Sequence, residues 1–340
     1  MTEIGVIGAG SWGTALAIQM AKKGFPVTLW VRRKAYLEKM LDAGENVDYL
    51  PGIPLPPQIK LTVDLENGVR GKSLIILSVP SHAVAEISRS IDPLITGIPI
   101  IVNTAKGLVE GPLQRLSQVI CHNLPKNQFR CPIAVLSGPN HAEEVSRLIP
   151  TATVVATEKK EVAEQVQDIL MTPYFRVYTN PDIIGVELGG ALKNIIAIGS
   201  GACEGMGYGD NTRAALLTRG LVEITRLGQA MGARSATFSG LTGIGDLFVT
   251  CNSVHSRNRY VGLMLGQGKK MEEITASMQM VAEGIKTAKA AYILSEQYGV
   301  SMPITVEVFS ILFKGRKLQE AVQNLMQRAK TYEMEDMAFQ

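Results

Sequence analysis

Lys193 is the only charged side chain between Leu188 and Cys203, on an apolar run rich in Gly, Ala and Ile. Taking an ammonium out of water is costly. Desolvation also lowers a lysine pKa, which suits proton transfer near neutral pH. The residue reads equally as a lysine at a helix edge whose head reaches solvent. Asp246 repeats the pattern, as the one charge in the glycine-rich stretch from Phe238 to Thr250. A buried carboxylate needs a cation or several donors. Pairing with Lys193 would meet that need, and capping a helix is the alternative. Ser256-Arg257-Asn258-Arg259 lies at a predicted helix start, where hydroxyl, amide, guanidinium and free N–H groups together suit a phosphate. Lys106 and the Ser137-Gly-Pro-Asn140 turn, which holds Gly138 and Asn140, each follow a predicted strand. That carboxyl edge is where doubly wound sheets bind ligands. The four histidines read as structural or surface residues.

These groups need a scaffold, and its organising stretch is Glu3 to Ala17. An apolar run, Ile4 to Ile7, turns through Gly8-Ala-Gly10 into an apolar-periodic helix, Ser11 to Lys23. Gly8-x-Gly10-x-x-Gly13 sits at that corner. Gly8 supplies the tight turn, Gly10 a close approach to a pyrophosphate, and Gly13 close helix–strand packing. The helix N-terminus then faces the phosphates. At the end of the second strand, where a carboxylate would bind the ribose of NAD, stands Val31-Arg32-Arg33-Lys34. Arginine there accepts a 2′-phosphate, which favours NADP(H) over NAD(H). A solvated basic helix start is the plainer reading.

Strand and helix signals alternate through the first half. Strands are predicted at Pro26 to Trp30, Leu74 to Val79, Ile98 to Val102, Ile133 to Leu136, Thr153 to Ala156 and Arg176 to Thr179. Helices fall at Ala35 to Ala43, from His82, at Leu113 to His122 and at Glu161 to Leu170, and Asn46 to Gln58 reads as a loop. Such alternation implies parallel pairing, hence a doubly wound α/β dinucleotide domain. From Pro181 onward nearly everything reads as helix. Asn180-Pro181 is the breaker, giving a Rossmann-type domain at 1–180 and an all-α domain at 181–340. The polar tail after Lys330 reads as frayed.

Composition narrows the function. The chain has 340 residues, 46% hydrophobic and 19% charged, with net charge +3. That is enough for two globular domains and too little basic charge for a nucleic-acid partner. The four cysteines and four histidines show no zinc or disulfide spacing, so no metal is expected and a reducing cytoplasm fits. Lys193 and Asn194 interrupt the longest apolar run, so no membrane span is expected.

The motifs resemble the bacterial-type NAD(P)-dependent sn-glycerol-3-phosphate dehydrogenases. The resemblance runs through Gly8 to Ala17, Asn103 to Leu108, Leu136 to Pro139, Glu187 to Ile196, Asn211 to Gly220, Gly245-Asp246, His255 to Arg259 and Val281 to Gly284. It implies a Rossmann domain followed by a helical domain, 6-phosphogluconate-dehydrogenase-like. It also implies reversible reduction of dihydroxyacetone phosphate to sn-glycerol 3-phosphate, supplying glycerophospholipid synthesis. In that family's pattern Lys193 is the proton donor and acceptor, Lys106 touches substrate and cofactor, and Asp246 is a substrate-site carboxylate. Gly138, Asn140, Ser256, Arg257 and Asn258 align with substrate binders. Ser11, Trp12, Arg32, Arg33, Ala142, Arg257, Val281 and Glu283 align with cofactor contacts, beside Gly8, Gly10 and Gly13. Asn140-His141 departs from the family's commoner small hydroxyl residue and Phe. A homodimer is expected. Two rivals stay open: a related dehydrogenase of a 3-hydroxy acid or ketopantoate, and a non-catalytic NADP(H) sensor.

Overall fold

The computed structural model describes residues 2–333 except 110, 112, 128, 129, 279–281 and 331. Val281 and most of the tail past Lys330 therefore lie outside the described residues.

Ile4-Gly-Val-Ile, Leu74-Ile-Ile-Leu and Ile100-Ile-Val-Asn are short, apolar and buried throughout. Such runs suit strands covered on both faces. They are the centre of one sheet formed by β1 (Ile4–Ile7), β2 (Val27–Trp30), β3 (Ile59–Thr62), β4 (Leu74–Leu77), β5 (Ile100–Asn103), β6 (Ile133–Ser137), β7 (Thr151–Ala156) and β8 (Phe175–Asn180). Their spatial order is β8-β7-β6-β5-β4-β1-β2-β3. Because successive side chains point to opposite faces, each strand feeds two cores. Ile4, Val6, Leu74, Ile76, Ile100 and Val102 join one, and Ile7, Ile75, Leu77 and Ile101 join the other. The connecting helices are α1 (Ser11–Lys22), α2 (Lys34–Ala43), α3 (Leu65–Val69), α4 (Val84–Ile91), α5 (Leu116–His122), α6 (Ala142–Ser146) and α7 (Lys160–Leu170).

The strands depart from the sequence reading. The proline-rich loop holds a small antiparallel ribbon, Glu45–Asn46 with Leu50–Pro54, and leads directly into the edge strand β3, parallel to β2. The pairing is also not uniformly parallel, since β7 runs antiparallel to β6, with Ser137 opposite Val154. The connection explains this. The five residues of α6 rise only about 7.5 Å, far short of the roughly 17 Å of the strand it leaves, so the chain returns beside β6 rather than crossing the sheet.

The second half is helical: α8 (Ile183–Gly205), α9 (Asp210–Ala230), α10 (Ser235–Phe238), α11 (Asp246–Asn252), α12 (Arg257–Gly266), α13 (Met271–Ser277), α14 (Glu283–Tyr298), α15 (Pro303–Lys314) and α16 (Leu318–Met326). Helix α8 is long and apolar enough to cross a membrane by length and composition, but 89% of its apolar window is buried inside the fold. Asp182 caps it, accepting from Gly185 N at 2.9 Å. Helices α8 and α12 meet backbone to backbone. A Cβ on Gly201 would lie 2.0 Å from the Arg259 carbonyl, and one on Gly262 would lie 1.9 Å from that of Ile198. The glycine-rich stretch before Asp246, which carried no helix signal, folds as α10, a π turn at Leu241–Gly245 and α11.

Candidate active site

The carboxyl ends of β5 and β6 open toward α8 and α11, and the predicted charges meet there. Lys193, on α8, is 5% exposed and Asp246, opening α11, is 1% exposed. The head of Lys193 does not reach solvent. Its Nζ donates to Asp246 Oδ1, and to Thr250 Oγ1 at 2.6 Å. Asp246 does not cap a helix with its side chain. Its second oxygen accepts from Lys106 Nζ at 2.9 Å. Lys106, just past β5, also donates to the Gly138 carbonyl at 2.9 Å and to Asn140 Oδ1 at 3.0 Å. Gly138 has φ +142°, and a Cβ there would lie 3.1 Å from Thr153. A glycine therefore lets the turn present its carbonyl to Lys106. Asn140 is braced in turn by Thr153, donating from Nδ2 to Oγ1 at 3.1 Å.

One carboxylate thus bridges two ammonium groups. Burial pushes the Lys193 pKa down to about 7, helped by Lys106 and resisted by Asp246. Burial pushes the Asp246 carboxyl up, but Lys106 and Lys193 outweigh it and hold the group below the usual carboxylate range. The site combines a stable anion with a lysine that can gain and lose a proton near neutrality.

Beside it lies the turn between β1 and α1. Gly8 has φ +117°, and a Cβ there would lie 2.5 Å from the Ser78 carbonyl; one on Gly13 would lie 1.9 Å from the Gly8 carbonyl. A Cβ on Gly10 would have nothing within 4 Å. No side chain caps α1. An open cradle over an uncapped helix N-terminus fits a dinucleotide pyrophosphate. Ser11 Oγ donates to the Tyr49 carbonyl at 2.6 Å, and Trp12 Nε1 is buried without a partner. Arg32 and Arg33 are exposed past β2, with Arg33 over the Tyr36 ring at 5.4 Å. Ala142 opens α6 in a cluster with Ala15 and Ile18. Glu283 opens α14 and accepts from Ser81 N at 3.0 Å and Ser81 Oγ at 2.5 Å.

The Ser256–Asn258 segment divides its work. Ser256 caps α12, accepting from Arg259 N at 3.2 Å. Arg257 is exposed, with Glu283 and Glu143 as its electrostatic neighbours. Asn258 is buried, donating to Asn194 Oδ1 at 2.9 Å and accepting from Gly284 N at 2.9 Å. It ties α8, α12 and α14 together. Two site residues had no reading of their own. Thr250 was legible only as the position one turn after Asp246, on the same helix face. His141 reads in the sequence as structural or surface like the other histidines, yet it lies within electrostatic reach of Lys193, Lys106 and Asp246.

Known proteins share this fold. Residues 3–163 match the family described as NAD-dependent glycerol-3-phosphate dehydrogenase N-terminus, and residues 182–323 match its C-terminus counterpart. The chain is 53% identical over 333 residues to the glycerol-3-phosphate dehydrogenase (NAD(P)+) of Moorella thermoacetica, covering 98% of each chain. It is 52% identical over 338 residues to that of Desulfitobacterium hafniense, covering 99% of this chain and 95% of the relative. The crystal structure of glycerol-3-phosphate dehydrogenase from Coxiella burnetii has a TM-score of 0.91 at 39% identity, covering 96% of this chain and 99% of that one. A Rossmann-like parallel-sheet domain, a helical domain and full-length likeness of this order place the chain in the NAD-dependent glycerol-3-phosphate dehydrogenase family.

Proposed function

We propose that the protein catalyses reversible NAD(P)H-dependent reduction of dihydroxyacetone phosphate to sn-glycerol 3-phosphate, with Lys193 as proton donor and, in reverse, acceptor. The observation that carries the lysine's role is its placement: buried, on Asp246 and Thr250, at the carboxyl edge of the sheet. A bound nicotinamide supplies the hydride. Charge then develops on the carbonyl oxygen, and an ammonium within hydrogen-bond reach stabilises it and delivers a proton. Asp246 keeps Lys193 oriented and lets Lys106 share the anion. In this reading Arg257, at the start of α12, holds the phosphate end, and the hydrogen bonds of Ser256 and Asn258 at that corner support it. Binding at the phosphate orients the carbonyl, so remote binding energy becomes rate. The Lys193 ammonium meets the need for positive charge, so the reading assigns no metal.

The basic pair Arg32 and Arg33 supports a preference for NADP(H), with Gly8, Gly10 and Gly13 at the pyrophosphate and Ser11, Trp12, Ala142 and Glu283 around the nucleotide. We read the protein as cytoplasmic, with its domains dividing between residues 180 and 181, after the last strand. Exposed Ile244, Phe248 and Val254, at 51, 64 and 78%, support a homodimer. The test is initial-rate oxidation of NADPH, then NADH, with dihydroxyacetone phosphate. Faster turnover with NADPH is expected. Equal or faster turnover with NADH removes the cofactor preference, and none with either removes the reaction.

A further inference from the structure

The turn after β6 sends Asn140 to Lys106 and then places His141 at the head of α6. The His141 Nε2 atom is buried and has no hydrogen-bond partner. Its ring stands 5.9 Å from that of His255, the residue before the Ser256 cap. The imidazole therefore lies within electrostatic reach of Lys193, Lys106 and Asp246 on one side and against His255, at the α12 corner, on the other. An orphaned polar atom buried at such a place is costly unless a ligand completes it.

We propose that His141 is a substrate-positioning residue whose Nε2–H donates to a substrate oxygen other than the reacting carbonyl. The inference rests on the reaction proposed above. A neutral ring is what the surroundings demand. Burial, with Lys193 and Lys106 adding to it, pushes the His141 pKa down to about 4, against the pull of Asp246. A third cation beside two lysines and one carboxylate is avoided, while a neutral ring still offers a donor to an oxygen-rich substrate. The family's commoner Phe has the same flat shape and no such donor, so this chain gains a polar contact without added charge.

The experiment compares wild type with His141→Phe and His141→Gln, with His141→Leu held as a second apolar variant should Phe not fold. Wild-type turnover of dihydroxyacetone phosphate comes first, since its absence defeats the reaction itself and not the role of His141. Given turnover, His141→Phe should raise KM for dihydroxyacetone phosphate about tenfold, the size expected for one lost hydrogen bond. KM for NADPH should stay within twofold, and Gln, which keeps an N–H donor, should recover most of the loss. An unchanged KM for the triose phosphate overturns the proposal. An equal rise in both KM values overturns it too, because a merely structural ring would act that way.

Discussion

Glu283 accepts both the backbone N–H and the hydroxyl of Ser81, 202 positions earlier in the chain. The contact joins the first turn of α14 to the loop after β4. It is so close to the next loop that a Cβ on Gly107 would lie 2.9 Å from Ser81. Buried Glu187 of α8 does the same elsewhere, accepting from Ser117 N at 2.7 Å and Arg115 Nη1 at 2.6 Å. With Asp246 on Lys106, three carboxylates of the helical half hold the two connections that follow β4 and β5. The crevice is thus walled by both halves, and its chemistry depends on their register.

Lys193→Ala should lower kcat by about 10²–10⁴, the usual worth of a positioned acid, while nucleotide still binds. The wild type should show a matching pH signature. A donor must hold its proton, and this one titrates at about 7. Reduction should therefore weaken, and oxidation strengthen, as pH rises through that value. Initial rates in both directions from pH 6 to 9 check this, and the limb should vanish in the variant.

Two glycines in one motif should fail differently. An alanine methyl at Gly13 would meet the Gly8 carbonyl at 1.9 Å, so Gly13→Ala should cost about 1–3 kcal/mol of stability or more. Gly10→Ala meets no neighbour within 4 Å. It should leave the melting temperature unchanged and weaken nucleotide binding at least about tenfold by filling the pyrophosphate cradle. Thermal melts with fluorescence titration separate the two.

Arg33→Ala should raise KM for NADPH by about ten- to a hundredfold, the range for a lost bond to a charged group. KM for NADH should change less than about twofold. Equal effects on both nucleotides would place Arg33 outside the ribose site.

Glu223 should make stability depend on pH. It is buried on α9 and accepts from Ile304 N at 2.6 Å, Thr305 N at 3.0 Å and Thr305 Oγ1 at 3.0 Å, capping α15. Burial raises its pKa from 4.5 to about 7, against those hydrogen bonds. A folded pKa above the unfolded one means that the native state holds the proton more tightly. The stabilisation is full below about 4.5 and is lost as pH rises through about 7. Melting curves of wild type and Glu223→Gln across pH 4 to 8 should diverge over that window, only the wild type losing this contribution.

Lys193 and Asp246 were legible because a lone charge in an apolar run has few places to go. Their partnership was legible for the same reason. The second lysine on Asp246 was not, since Lys106 lies in an ordinary loop and only the strand order β5-β6 brings it there. Thr250 was hidden because a threonine in a helix needs no explanation. The strand β3 was missed because Ile59-Lys-Leu-Thr is a short edge segment, half-exposed, just after prolines. The reversal at β7 was missed because strand composition does not encode direction. Asn258 carries a structural task that its amide alone did not reveal, since it also holds the backbone of Gly284 and the side chain of Asn194.

Helices α8 and α12 meet peptide to peptide at Gly201 and Gly262, with no side chain between them at those two crossings. Most helix pairs can have their spacing retuned by exchanging one apolar side chain for another. At these two crossings there is no side chain to exchange. The span from Lys193 to the Ser256–Arg257 corner is therefore a fixed ruler, graduated in peptide dimensions. With the phosphate held at that corner as proposed above, the substrate length is set by the main chain, and a longer phosphate ester would require new residues at the corner rather than a looser core.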